Sequence, residues 1–284
     1  MPGKPGERAP DGMPADATGY GARVRNALYR PLEDRKPAKE PKRGLAGRLA
    51  LGGAVAVLVS IPLVLLLLLV ESSWQPLENL DRSTADSLNS VARGDGTLVQ
   101  VLDAGSLALD PWVFRLAVLA VAVWLWRRGA KRLAAWSVVT VVIGGVLGVV
   151  LKLLVARARP AFPEPVAHAS GYSFPSGHAL NSMLCVAVLI LVFLPVLRGP
   201  GRLLAYALGA LLVLLTGFDR VALGVHFVSD VIAGWVVALA VVAGTSAAFE
   251  IWRREMGRRP TTVREGVEPE AAPEIAEDHR QPQT

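Results

Sequence analysis

Three short stretches of this sequence hold histidines, carboxylates and cations at spacings that suit chemistry on an anion. Residues 152–160 read KLLVARARP, residues 175–178 read PSGH, and residues 219–230 read DRVALGVHFVSD. PSGH stands directly before a long apolar run, which is an unusual place for a titratable ring unless the histidine has a chemical task. Whether these residues form one site depends on whether the fold brings the three stretches together.

The residue types in these stretches are those of a phosphate site. Backbone N–H groups and the dipole at a helix N-terminus favour an anion, and arginine offers paired donors that match phosphoryl oxygens. Lysine adds a compact positive charge. The residues with these properties are Lys152, Arg159, Ser176, Gly177 and Arg220.

Two histidines and one aspartate supply groups that can move phosphate and protons. His226 and Asp230 are four residues apart, so on a helix they share one face and the carboxylate can hold the imidazole in one tautomer. A neutral imidazole beside a phosphate site is a candidate nucleophile, and His178 can protonate the leaving oxygen. These residues do not have the character of a metal-ligand cluster. We therefore predict no metal and no other cofactor, with cations stabilising the phosphoryl charge.

The segments that must position these residues are apolar blocks typical of a membrane protein. Of the 284 residues, 52% are hydrophobic and 19% are charged. A helix of about 20 apolar residues crosses a bilayer, so we predict an all-α integral membrane protein, a polytopic bundle of six transmembrane helices. The six apolar blocks are residues 49–70, 111–126, 133–151, 179–197, 203–218 and 231–249. The second of these contains Arg115 near one end, where its side chain can reach the membrane interface.

The distribution of cations predicts how the chain is oriented. Cytoplasmic loops carry an excess of Lys and Arg, and an N-terminus inside with six crossings puts 23 of the 30 cations on the inner side. Both termini are then cytoplasmic, and we predict a plasma (inner) membrane location. The seven cations left on the outer side are Arg82, Arg93, Arg115, Lys152, Arg157, Arg159 and Arg220.

The number of crossings between the motifs predicts that they share one membrane face. Two helices separate His178 from the third stretch, and an even number of crossings returns the chain to the same side. We therefore expect all three stretches at the extracytoplasmic surface, at similar depth.

The two ends of the chain differ in composition from its apolar middle. Residues 1–44 and 253–284 are rich in Pro and charged residues and lack a periodic apolar pattern, which predicts disordered cytoplasmic tails around a membrane domain at residues 45–252. Residues 72–110 mix apolar and polar residues at helical spacing. We interpret this segment as an outer interfacial helix that either helps to gate lipid entry or only connects two spans.

The three motifs together resemble the signature of the type 2 phosphatidic acid phosphatase superfamily, also called the lipid phosphate phosphatases, in its membrane-bound branch. The Lys–six residues–Arg-Pro spacing, PSGH, and the Arg–five residues–His–three residues–Asp spacing occur in the family's order, within about residues 45–250. The resemblance implies a six-helix bundle and metal-independent hydrolysis of a phosphate ester or anhydride. The vanadate-binding haloperoxidases share the pattern but are soluble, which the six apolar blocks contradict.

The resemblance also implies a role for each matched residue. His226 is similar to the nucleophile that forms a phosphohistidine, Asp230 to its orienting partner, and His178 to the general acid. The residues implied to bind phosphate are Lys152, Arg159, Ser176, Gly177 and Arg220.

Two further residues extend or depart from the family pattern. Asp219 stands where the family usually has Ser, and it can pair with Arg220 or Arg157 or alter substrate preference. Arg157 lies between the two matched cations of the first motif and is a candidate extra contact to phosphate or headgroup.

The predicted function is hydrolysis of a membrane-soluble lipid phosphate at the outer face, because a site at helix ends can be entered sideways from the bilayer. Undecaprenyl diphosphate is favoured narrowly, with phosphatidate, phosphatidylglycerol phosphate and diacylglycerol pyrophosphate as alternatives. A lipid phosphotransferase using the same phosphohistidine, and a non-catalytic membrane scaffold or transporter, are further alternatives. The predicted partner is the lipid substrate rather than a nucleic acid, and the oligomeric state is left open.

Overall fold

The computed structural model describes residues 61–276, and all of them lie in one compact unit. Every regular element in this range is a helix, which confirms the all-α prediction for this part of the chain. The predicted N-terminal tail and residues 49–60 of the first apolar block lie outside the described residues. The main helices are α1 (Ile61–Glu71), α2 (Gln75–Gly94), α3 (Gly96–Ala108), α4 (Pro111–Arg127), α5 (Lys131–Val155), α6 (Gly177–Phe193), α7 (Pro200–Ala222) and α8 (Val228–Glu255).

Four helical stretches are long and apolar enough to cross a membrane, which supports an integral membrane protein. They are α3 and α4 taken together (Gly96–Arg127), α5, α7 and α8. α1 and α2 meet at an 83° bend and make a fifth span if the bent pair is counted as one. The fourth predicted block corresponds to α6, which has only 17 residues. Residues 61–276 therefore support four or five spans by length and composition, and the count of six is not confirmed.

α6 is the central helix of the bundle and packs against α4, α5, α7 and α8. It ends at Phe193, two residues before Pro195, since proline cannot continue the helical hydrogen-bond pattern. One stripe along α6 is buried at four-residue spacing and consists of Leu180, Leu184, Val188 and Val192. Such a stripe is the core-facing side of a helix.

α6 and α8 approach each other closely where Gly234 faces the start of α6. A Cβ on Gly234 would lie 2.8 Å from the carbonyl oxygen of Ser176 and 2.9 Å from the amide nitrogen of Leu180, so a larger residue must displace backbone. The amide of Ser176 also donates to the carbonyl oxygen of Asp230 over 2.9 Å. These contacts hold the PSGH turn against the first turn of α8.

Gly234→Ala is expected to destabilise the protein by about 1–3 kcal/mol, because the added methyl group overpacks a backbone contact. Gly244→Ala on the same helix is the matched control, since a Cβ at Gly244 meets nothing within 4 Å and alanine is the better helix former. Thermal unfolding of both variants in detergent measures the difference. Equal unfolding temperatures for the two variants would contradict the prediction.

α2 belongs to the predicted interfacial segment and contacts α7 and α8. Its buried residues are Asp81, Ala85, Asn89 and Ala92. Their spacing of four, four and three residues is that of one helix face, as an amphipathic helix requires. Two of the four are polar, so α2 does not pack through apolar contacts alone.

The C-terminal segment packs on the bundle, which differs from the disordered tail predicted from residue 253. α8 continues to Glu255, and short turns of helix follow at Val263–Glu265, Pro269–Ala271 and Ala272–Ala276 (the last is α9). Three side chains of this segment join the main hydrophobic core, namely Val267, Ala271 and Ile275. They are isolated among Pro and Glu in the sequence, so they show no continuous periodic pattern.

A buried ion-pair cluster connects this segment to α8. Arg253 is 1% exposed and donates to Glu250 and to Glu270, each over 2.6 Å. Glu270 is 17 residues from Arg253, a separation that helix periodicity does not reveal. Residues 277–284 lie outside the described part of the chain.

Candidate active site

The three motifs meet at one end of the bundle. α5 ends there, the loop of residues 156–176 follows, and α6 begins there; α7 ends and α8 begins at the same end. Hydrogen bonds join these segments, for example from Arg159 to the carbonyl oxygen of Val225 and from Ser173 to Asp230. The structure thus brings the predicted site residues together. Which side of the membrane this end faces stays a prediction.

His226 and Asp230 face each other as their spacing predicts. Nδ1 of His226 lies 3.4 Å from Oδ2 of Asp230, which is long for a hydrogen bond, and Nε2 lies 3.1 Å from Nη1 of Arg159. Because a guanidinium only donates, we infer that Nε2 carries the lone pair and that Nδ1 carries the proton facing the carboxylate. The imidazole therefore presents its basic nitrogen to the cations.

Burial sets the charge of His226. The residue is 3% exposed. Burial lowers the pKa of its imidazole below the ordinary value, the Asp230 carboxylate opposes that effect, and Arg159 and Lys152 lower the pKa further. The ring is therefore neutral at neutral pH, which is the form with a free lone pair.

Asp230 is held by three donors besides the histidine it faces. Its Oδ2 accepts from the hydroxyl of Ser173 over 2.6 Å and from the amide of Phe227 over 2.9 Å. Its Oδ1 accepts from Arg157 over 2.6 Å. Charge-assisted bonds of this kind are strong and directional, so the carboxylate keeps one orientation toward the imidazole.

Arg159 and Lys152 are anchored by backbone carbonyl groups. Lys152 donates to the carbonyl oxygen of Tyr172 over 2.5 Å. The carbonyl acceptors of Arg159 are those of Ser170, Gly171 and Val225, at 2.7 to 3.0 Å. The two cations are therefore held beside His226 by the loop before α6 and the turn before α8.

The start of α6 has the geometry expected of an anion-binding helix terminus. Ser176 is its N-cap and accepts from the amide of Ala179 over 3.4 Å, and Gly177 is its first residue. The first N–H groups of a helix have no partner within the helix, and the positive end of the dipole lies there. Both features are directed toward the end of the bundle where the motifs meet.

His178 lies between a cation and a carboxylate. Its Nε2 is 3.4 Å from Nη1 of Arg220 and 3.8 Å from Oδ2 of Asp110. Arg220 in turn pairs with Asp219 through both Nε and Nη2. Asp219 therefore uses one of the two partners that the sequence suggested for it.

Arg157 is committed to protein partners. Nη1 donates to Ser229 over 2.7 Å and to Asp230 over 2.6 Å, while Nη2 donates to Asp81 over 2.9 Å. The guanidinium carbon also lies 4.4 Å from the centre of the Phe227 ring. These bonds occupy both terminal nitrogens, although a contact from Arg157 to phosphate or headgroup stays an untested prediction.

Sequence reasoning did not single out three residues of this network: Asp81, Ser173 and Ser229. Ser229 directly precedes Asp230, and Ser173 lies two residues before Pro175, so a hydroxyl close to a motif is the signal that could have identified them. Asp81 is 148 residues from Ser229, and its only sequence signal is a carboxylate in an amphipathic segment. Within residues 61–276, no three His, Cys, Asp or Glu side chains converge as metal ligands do.

A family model described as the PAP2 superfamily matches residues 133–254, from the first turn of α5 to the last turn of α8. Phosphatidylglycerophosphatase B of Bacillus subtilis (strain 168) is 41% identical over 97 residues, covering 33% of this chain and 46% of the relative. Undecaprenyl-diphosphatase of Sulfolobus acidocaldarius is 34% identical over 112 residues, covering 38% and 50%. The chain thus spans about half the length of the curated relatives it matches.

Two more comparisons agree with this family. Lipid A 1-phosphatase of Rhizobium etli is 34% identical over 111 residues, covering 36% of this chain and 44% of the relative. The crystal structure of a transmembrane PAP2 type phosphatidylglycerolphosphate phosphatase from Bacillus subtilis superposes with a TM-score of 0.59 at 22% identity. The superposition covers 72% of this chain and 98% of the chain in the crystal structure, and together with the TM-score this coverage shows a shared fold. The resemblance indicated by the three motifs is therefore confirmed: residues 133–254 match the PAP2 superfamily model, and the relatives similar to this chain are named as lipid phosphatases.

Proposed function

We propose that this protein hydrolyses a membrane lipid phosphate or diphosphate through a phosphohistidine on His226, with cations in place of a metal. The observation that carries the proposal is the orientation of that ring, whose Nε2 faces Arg159 while its Nδ1 faces Asp230. A buried neutral imidazole aligned by a carboxylate can attack a phosphorus atom that neighbouring cations hold. Relatives named as phosphatases of three different lipids support the same class of reaction.

The reaction proceeds as two displacements at phosphorus. Nε2 of His226 forms a bond to phosphorus as the bond to the leaving oxygen breaks, and that oxygen takes a proton from the imidazolium form of His178. Burial and Arg220 lower the pKa of His178, and the Asp110 carboxylate opposes them, so the reacting enzyme is the fraction in which His178 carries both protons. Water then attacks the phosphohistidine, gives a proton back to His178, and releases inorganic phosphate and neutral His226. Arg159, Lys152 and Arg220 stabilise the phosphoryl oxygens in both steps.

Undecaprenyl diphosphate is the substrate that we favour within this class. Its second phosphate lies between the cleaved phosphate and the lipid tail, so a cation farther along the bundle than His178 would suit it. Arg115 has this placement, because its Nε donates over 2.8 Å to Asn181, about one turn after His178 in α6. A groove of about 450 Å³, lined by Arg115 and by apolar residues of α5 between positions 141 and 150, fits a lipid tail.

Phosphate release by the purified protein in detergent tests the proposed reaction. Undecaprenyl diphosphate, phosphatidate, phosphatidylglycerol phosphate and diacylglycerol pyrophosphate are compared with EDTA present throughout, and release without added metal is expected. A requirement for a divalent ion would contradict the mechanism. Transfer of the phosphoryl group to an added alcohol in place of release would favour the phosphotransferase, and no turnover of any of the four would favour the scaffold.

Arg115→Gln is expected to lower kcat/KM for undecaprenyl diphosphate by about tenfold or more, the effect of losing one charge-assisted hydrogen bond to a phosphate. The same substitution should change kcat/KM for phosphatidate by less than about threefold, because phosphatidate has no second phosphate. Arg82→Gln, at an exposed residue of α2, is the matched control. Equal fold decreases in kcat/KM for the two lipids would mean that Arg115 does not support a diphosphate substrate.

A further inference from the structure

Asp81 is a buried carboxylate on a helix that none of the three motifs includes. It lies on α2 and is 1% exposed. A carboxylate is tolerated at such a position only where donors stabilise it. The donors that bond Asp81 come from the loop of the first motif and from the start of α8. α2 therefore brings a negative charge to the side of the active site behind Asp230.

The first set of contacts caps α8. The amide of Ser229 donates to Oδ1 of Asp81 over 2.9 Å, and the Ser229 hydroxyl donates to Oδ2 over 2.5 Å. Ser229 is the second residue of α8, and the residue before the helix, Phe227, has no side-chain oxygen with which to cap it. A carboxylate at a helix N-terminus is also favoured by the helix dipole. Asp81 thus fixes the turn that carries Asp230.

The second set of contacts passes through Arg157. Its Nη2 lies 2.9 Å from Oδ2 of Asp81, and its Nη1 lies 2.6 Å from Oδ1 of Asp230. The guanidinium is therefore held between two carboxylates, both of them buried. Because each terminal nitrogen bonds a different carboxylate, Arg157 cannot rotate without breaking an ion pair.

The second carboxylate also changes the net charge beside His226. Arg157 and Asp230 alone would form a neutral pair, and Asp230 would then stabilise a positive imidazole less. With Asp81 included, the three groups carry one net negative charge. That charge favours the positive imidazole that forms when Nε2 bonds to phosphorus, against the opposing effect of the nearby cations.

We propose that Asp81 is a positioning residue, which holds Arg157 and the first turn of α8 so that Asp230 keeps the orientation and charge that His226 needs. This inference rests on the proposed phosphatase reaction. Asp81 acts on the imidazole through other side chains: it contacts Arg157 and Ser229, and within residues 61–276 it has no hydrogen bond or ion pair with Lys152, Arg159 or Arg220. Its removal should therefore slow the chemical step without weakening substrate binding.

Asp81→Asn in the full-length protein is expected to lower kcat for phosphate release about 10- to 100-fold, as is typical when a partner that orients a reacting group is lost. KM should stay within about threefold of the wild-type value. Asp86→Asn is the matched control, because Asp86 is exposed on the same helix and undergoes the same chemical change. A wild-type kcat in a folded Asp81→Asn variant would overturn the inference.

Combining Asp81→Asn with Arg157→Met tests the route by which Asp81 acts. If Asp81 acts through Arg157, the fold decrease in kcat caused by Asp81→Asn should be clearly smaller in the Arg157→Met variant than in the wild-type protein. Equal fold decreases in kcat in the two proteins would refute action through Arg157, since independent sites have additive effects on the activation free energy.

Amide exchange at residues 227–230, measured by mass spectrometry, provides a readout that needs no activity. Asp81→Asn should speed exchange there, and Asp86→Asn should not. If Asp81→Asn does not fold, Ser229→Ala replaces it, since this change removes the hydroxyl that bonds both Asp81 and Arg157 and leaves the ion pairs in place. A lower kcat at unchanged KM is expected for Ser229→Ala. An unchanged kcat would refute the positioning role. A wild-type protein that releases no phosphate would overturn the proposed function, while exchange would still test the anchoring of α8.

Discussion

His226→Ala is expected to abolish phosphate release, with kcat lower by at least about 10³-fold, because the substitution removes the atom that bonds to phosphorus. The wild-type protein, mixed briefly with a lipid carrying radioactive phosphate and then quenched in alkali, should yield a labelled phosphoprotein. A phosphohistidine is stable in alkali and labile in acid, so the label should be lost on acidification. The His226→Ala protein should acquire no label.

His168→Ala serves as the control for this experiment. His168 lies exposed in the loop before α6, and the same substitution there removes an imidazole that is not among the proposed site residues. Phosphate release and labelling should both match those of the wild type. Release that survives in His226→Ala, or a label that resists acid, would exclude His226 as the nucleophile.

His178→Ala is expected to lower kcat/KM for phosphatidate about 10²- to 10⁴-fold, the usual contribution of a general acid. Phosphatidate expels an alkoxide, which needs a proton as its bond to phosphorus breaks. An aryl phosphate such as p-nitrophenyl phosphate expels a stable phenolate, so its kcat/KM should fall far less. Comparing the two substrates in the wild type and in the variant measures the proton transfer specifically.

Arg220→Gln is the matched comparison for His178→Ala. Arg220 lies next to His178 but is proposed to stabilise the phosphoryl oxygens, which are the same in both substrates. Its removal should therefore lower kcat/KM for the lipid and the aryl phosphate to a similar extent. If His178→Ala also affected the two substrates equally, His178 would bind phosphate rather than protonate the leaving group.

The placement of Asp81 shows how a helix outside the motifs can contribute to this site. α2 contacts α7 and α8 through a face that includes two polar residues. A substitution of Asp81 is expected to act on His226 through Arg157 and Asp230, because the Asp81 side chain is not proposed to contact the substrate. Variation in α2 among related proteins should therefore affect turnover more than substrate affinity.

The sequence by itself determined the helical class and the grouping of the three motifs at one end of the bundle. Both follow from one-dimensional properties, namely the length of apolar blocks and the even number of helices between His178 and Asp230. The facing of His226 and Asp230 also follows from a local rule, because residues four apart share a helix face. The structure places these two side chains 3.4 Å apart.

Apolar content alone does not determine the number of membrane spans, nor whether the C-terminal segment packs on the bundle or forms a tail. α6 reads as a span, but its 17 residues are largely surrounded by other helices, and hydrophobicity does not distinguish a lipid-facing helix from one covered by protein. The C-terminal segment reads as a tail because its few apolar residues are scattered. Its packing depends on the pairing of Arg253 with Glu270, which is a tertiary contact.

Only the tertiary structure decided how two arginines of the first motif differ. Arg157 and Arg159 have the same side chain and stand two residues apart in one loop. Arg159 faces His226, whereas Arg157 is held between Asp81 and Asp230. The partners of Arg157 are 76 and 73 residues away, and contacts at such separations leave no periodic pattern in a sequence, because they depend on how helices pack rather than on how each one forms.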